Sequence, residues 1–386
     1  MLSRSHLNLA ARKLSLVMAI ALALPLMGIS GPEADRDTRN QVTQTRLPAP
    51  TYEVSAGMDG EIYPAFANFA SLRPARNRTW GIVTVKITNS TSNWLRDRVT
   101  VQIPGWSDQE IQIVELGAGE SRTYLFAPTF LPRFYQNREI VAATAAISIT
   151  NPSGQVVHSE TVPVRLRSVD DLYWGKDFEF APFIASWVTP HDPAVEEVLA
   201  NAKELAPGRR LPGYEMKGAA NDARSTRIQA KAIFTALQRA GVSYVKSSMT
   251  LGANEEFSER VRMPSESLSH VSANCIDGAV LYAAIFENLG MEPSIILMPG
   301  HAVVGVRLSK NSKKLLYVET SLTGRTSFER AVAAAERAIA KHPPSDLISV
   351  SIRRARLDGI FPMPFSGSEQ LGIRASTDKT TNPAGY

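Results

Sequence analysis

Cys275, His301 and Glu319 follow one another along the chain as thiol, imidazole and carboxylate, and Cys275 is the single cysteine among 386 residues. A thiol of ordinary pKa is mostly protonated at neutral pH, but the first turn of a helix offers unpaired N–H groups and the positive end of the helix dipole, both of which favour the thiolate. An imidazole within hydrogen-bond reach can hold the thiol's proton and exchange it with a substrate, and a carboxylate behind that imidazole fixes its tautomer. In this order the three residue types suit nucleophilic acyl transfer, with Cys275 as nucleophile, His301 as base and Glu319 as the group orienting His301.

The elements needed to position them can be read from the surrounding residues. Asn274 is an N-cap residue type, Asp277 stands at the third helical position, and an apolar run continues to Phe286 before Gly290, which predicts a helix opening at Cys275. Strands are expected over 293–298 and 302–308, broken by Pro299-Gly300, and a third over 315–319 after the polar turn 309–314. Antiparallel neighbours place the start of one strand beside the end of the next, which brings His301 towards Glu319. Asp277 is assigned to capping, since an acid there satisfies free amides of the first turn. Each residue also has a bland explanation: an inert core thiol, a turn histidine, a solvated strand end.

The stretch Asn274-Cys275-Ile276-Asp277-Gly278, then Pro299-Gly300-His301-Ala302, then Val318-Glu319-Thr320-Ser321, resembles the core of the transglutaminase-like superfamily, the papain-like group with Cys, His and an acid in that chain order. The likeness covers about 186–323. It implies a papain-like α+β domain with a Cys275, His301, Glu319 triad. Many members carry Asp at the third position, so Glu319 is a departure that keeps the charge and adds one methylene of reach. Some use an upstream Gln or Trp as a second oxyanion donor; Trp187 is the candidate by position, with a packing tryptophan as the other reading. The superfamily spans cross-linking transferases, peptidases, amidases and members without catalysis, so a non-catalytic module binding protein or cell envelope stays open beside the enzyme reading.

Residues 1–30 carry Arg4, Arg12 and Lys13, no acid, and an apolar run from Leu14 to Met27 ending near small residues, the pattern of a secretory signal peptide. Its removal lowers the formal charge from +5 to +2. The expected location is periplasmic or secreted in a bacterium, with membrane attachment only where this segment stays uncleaved. Lys and Arg are scattered among acids, which argues against a nucleic-acid face. The six histidines and lone cysteine show no metal-ligand spacing, so neither metal nor cofactor is expected. A protein or peptide substrate is.

Residues 31–50 read as a polar, disordered linker. From 51 to 169, short alternating runs at 81–88, 98–103, 121–126, 142–150 and 155–166 predict an accessory all-β sandwich, the last two forming a hairpin over Asn151-Pro152-Ser153-Gly154. Trp94, Trp106, Tyr124 and Tyr135 are taken as core aromatics more than as a binding face. Helical periodicity then marks 194–205 and 226–240, and Thr326-Ser327-Phe328-Glu329 reads as a capping box opening a helix to about 342. The second domain is placed at 170–366, with a disordered tail over 367–386.

Overall fold

Alternation of β-branched and polar residues before residue 170 builds strands with one buried face. In the computed structural model, which describes residues 48–214, 223–246, 249–251, 257–310 and 312–364, these are β1 (Thr51–Ala56), β2 (Glu61–Ile62), β3 (Val83–Thr88), β4 (Leu95–Gln102), β5 (Glu110–Leu116), β6 (Ser121–Phe126), β7 (Val141–Thr150) and β8 (Val156–Leu166). Residues 1–30, expected as a signal peptide, and most of the expected linker and tail lie outside the described residues. Strands β1, β3 and β6 form one antiparallel sheet, and β2-β8-β7-β4-β5 a second. Val83, Val85 and Ile87 from the first meet Val99, Val101, Ile147 and Ile149 from the second in a shared core. Burial of these side chains is what holds the two sheets together.

Between β2 and β3 lies α1 (Pro64–Ser71), a helix that the sequence reading omits because it is buried on every face and shows no polar stripe. Its Phe66 and Phe69 rings stand 4.2 and 5.1 Å from Phe183 in the second half of the chain. Asn68 Nδ2 donates to the Phe361 and Pro362 carbonyls, so α1 ties the first half to the second. Trp94 departs from its assignment to the core, being 66% exposed.

The second half contains β9 (Asp171–Gly175), α2 (Pro193–Lys203), α3 (Ala223–Arg239), β10 (Ser243–Tyr244), β11 (Met249–Leu251), β12 (Phe257–Arg260), α4 (Pro264–Ser269) and β13 (Ser272–Ala273). Beside the helices marked between 170 and 275, this stretch carries strands the sequence reading omits: β11-β12-β9 form a small sheet and β10 pairs in parallel with β13. After them come α5 (Cys275–Asn288), β14 (Pro293–Met298), β15 (His301–Arg307), β16 (Leu315–Val318), α6 (Phe328–Ala340), β17 (Ile348–Ser351) and α7 (Ile352–Leu357). Strands β16-β15-β14-β17 form an antiparallel sheet.

Continuous apolar runs in β14 and β15 suit a sheet covered on both faces. Ile295, Leu297, Ala302, Val304 and Val306 join the core with α5, while Ile296, Met298 and Val303 pack with Ala335, Ala338 and Ile339 of α6. The result is a three-layer arrangement in which α5, buried from Ile276 to Phe286, is the central helix. Among the described residues no helix is long and apolar enough to cross a membrane.

Among the boundaries that shift, two have a local cause. Ser327, not Thr326, caps α6, its side chain accepting from the Arg330 amide. Strand β16 ends at Val318, because the Glu319 carboxylate takes the Ser321 amide and bends the chain into a 3-10 turn, Thr320–Leu322.

Buried Glu259 on β12 adds a pH dependence. Burial, then the charge of Asp277, pushes its carboxyl up to about 7. The folded chain therefore binds a proton that the unfolded chain releases near its ordinary value of 4.5, and stability falls as pH rises between those two values. Glu259→Gln is expected to raise stability by up to about 3 kcal/mol above pH 7 and to change little below pH 4.5, as read by urea unfolding at both ends.

Candidate active site

Cys275 is the first residue of α5, and the local sequence explains why the helix begins there. Asn274 holds an extended backbone, its side-chain oxygen accepts from the Asp277 amide at 2.7 Å, and Asp277 Oδ2 accepts the Asn274 amide at 3.3 Å in return. The other Asp277 oxygen accepts the Arg262 amide at 2.9 Å. The acid is thus occupied with backbone groups. Cys275 is partly exposed at this helix end, where free amides and the dipole favour negative charge.

Gly300, at φ +70, makes the turn from β14 into β15. Left-handed backbone of this kind is open to glycine without strain. The turn sets His301 as the first residue of β15, opposite Met298. Strand β16 pairs with β15 from Val304 opposite Val318, and Glu319 follows directly. His301 Nε2 and Glu319 Oε2 lie 2.6 Å apart, with side chains 29% and 7% exposed. Cys275 is the other group close enough to the ring to raise its affinity for a proton.

These contacts set the charges. Hydrogen bonding to Cys275, then to Glu319, pushes the His301 imidazole up to about 10 against the opposing effect of burial. At neutral pH the ring keeps its proton. Burial raises the Glu319 carboxyl, but hydrogen bonds from His301 and Ser321 outweigh it and hold the group below its ordinary value. Ser321 donates twice to Glu319 Oε1, from its amide at 3.2 Å and its hydroxyl at 2.6 Å. One carboxylate oxygen is therefore fixed by Ser321 and the other faces the imidazole.

Ser321 had no role in the sequence reading, although a Ser two residues after an acid is a recognisable local hydrogen-bonding pattern. Gly278 was missed as well. A Cβ there would lie 2.6 Å from Thr320 Oγ1 and 2.9 Å from Thr320 Cβ, so the missing side chain lets α5 close against the turn after Glu319. Tyr282 and Thr323 join the same two elements through hydroxyls 2.9 Å apart. Gly278→Ala is expected to force the turn away from α5 and to slow alkylation of native Cys275 by iodoacetamide about 10-fold, as Glu319 loses its place behind His301.

Trp187 is fully buried, and its indole Nε1 has no partner among the described residues. It packs the core. With its N–H sealed from solvent, it is not placed to reach a substrate.

The structure therefore brings Cys275, His301 and Glu319 together at the junction of α5 with the β15 and β16 strands. A sulfur at a helix N-terminus, a protonated imidazole against it and a carboxylate behind the imidazole can form and break a thioester. No family model matches the chain, and no curated protein matches it. Geometry and chemistry carry the functional reading.

Proposed function

We propose that this chain is an exported, thiol-dependent acyl-transfer enzyme of the transglutaminase-like superfamily, acting on an amide or peptide bond and more suited to hydrolysis than to cross-linking. The observation that carries the proposal is the contact of His301 Nε2 with the Glu319 carboxylate at 2.6 Å, with Cys275 at the start of α5 raising the same ring's affinity for a proton. In this reading the sulfur adds to the amide carbonyl while the pair's shared proton rests on His301, and the Cys275 backbone N–H holds the oxyanion. The imidazolium then protonates the leaving amine, and the neutral ring deprotonates the water that cleaves the thioester.

Hydrolysis is favoured because nothing in the sequence marks a site for an amine acceptor. The residue pattern of 1–30 supports export, and a protein or peptide, including one of the cell envelope, is the proposed substrate. Iodoacetamide tests the reactive thiol directly. Native protein should be alkylated at Cys275, and more slowly after His301→Ala; labelling that requires denaturation would sink the proposal.

A further inference from the structure

Tyr244 is the second residue of β10, and parallel pairing sets it opposite Ala273, two residues before Cys275. The Val245 amide donates to the Ala273 carbonyl at 3.0 Å, which fixes that register. Strand β10 also packs on the Thr320–Leu322 turn that follows Glu319. The same loop closes on the start of the strand further along, since a Cβ on Gly324 would sit 3.0 Å from the Val242 carbonyl oxygen. Tyr244 thus stands between the cap of the nucleophile's helix and the turn carrying the carboxylate, half-exposed.

Burial, then the charges of Cys275 and Glu319, raises the Tyr244 phenol above its ordinary value. A phenolate there would be disfavoured by both groups. The group stays a neutral O–H donor, coupled to Cys275 and Glu319 through space.

We propose that Tyr244 is the side-chain oxyanion donor of this site, its hydroxyl and the Cys275 backbone N–H together receiving the substrate's carbonyl oxygen. The proposal rests on the acyl-transfer reading above. As the sulfur–carbon bond forms, the carbonyl π pair moves onto oxygen and is held by the two donors. Collapse returns that pair to the carbonyl and breaks the carbon–nitrogen bond, and the departing amine takes the proton of His301. Tyr244 keeps its own proton throughout. This is the role for which Trp187 is too deeply buried.

Two probes separate this role from others in the full-length chain. p-Nitrophenyl acetate reacts with the thiol by carbonyl addition, through an oxyanion, whereas iodoacetamide reacts by displacement at carbon and forms none. Tyr244→Phe should slow acetylation of Cys275 by about 10- to 100-fold while changing alkylation by less than about twofold. An equal fall with both probes would mean that Tyr244 acts on the thiol or on folding, and no fall with either that it is idle; each overturns the proposal and leaves the enzyme reading standing. Wild-type protein that is alkylated at Cys275 but never acetylated would overturn both.

Discussion

Replacing His301 with Gln is expected to slow acetylation of Cys275 by p-nitrophenyl acetate by about 10³-fold, with the fold retained. The size follows from removing the group that holds and returns the proton, a role worth about 10²–10⁴-fold where an acid or base is well placed. Gln can still donate to Glu319, so the carboxylate is not left facing an apolar side chain. A companion measurement isolates the electrostatics. The His301 ring should titrate near 10 by NMR, and in Cys275→Ala the midpoint should fall towards the ordinary 6.5, because the hydrogen bond to Cys275 is the largest contributor to the upward shift. A wild-type midpoint near 6.5 would mean that the ring is not held between thiol and carboxylate.

Arg356→Met is expected to cost about 3–5 kcal/mol of stability. Arg356 on α7 reaches both carboxylate oxygens of Glu287 on α5, each at 2.9 Å. Its remaining N–H groups donate to the carbonyls of Ala185, Val188 and Ile360 at 2.8–2.9 Å. Methionine fills similar volume but leaves the Glu287 carboxylate and three carbonyls without these partners in a largely buried setting. Urea unfolding should show a lower midpoint with an unchanged slope. A loss below about 1 kcal/mol would show that solvent satisfies those groups after the change.

How much of this was readable from residues alone depended on how local the determining interactions are. The cap of α5 was legible because Asn274 and Asp277 bond each other's amides within one turn, and Pro299-Gly300 announced the turn that presents His301. Hydrophobic alternation located β6 and the β7–β8 hairpin to within a residue or two. Helix α1 was not legible: with seven of its eight residues buried it carries no periodic signature, and Asn68 finds its partners at Phe361 and Pro362, far along the chain. Tyr244 was silent for the same reason. Two residues in β10 meeting two in β13 make a pairing too short to read in sequence, yet it sets Tyr244 opposite Ala273, two residues before the thiol. Nothing local to Gly278 shows that Thr320 lies against it.

The central claim is that Cys275, activated by His301 and Glu319, carries an acyl group during the reaction. Its most direct test is mass spectrometry of the proteolytic peptide containing Cys275 after brief treatment of the native chain with p-nitrophenyl acetate, quenched in acid to preserve thioesters. Wild-type protein should yield that peptide bearing one acetyl group, removable by hydroxylamine, and the His301→Gln protein should yield almost none in the same time. An unmodified Cys275 peptide, or one acetylated equally in both proteins, would contradict the account.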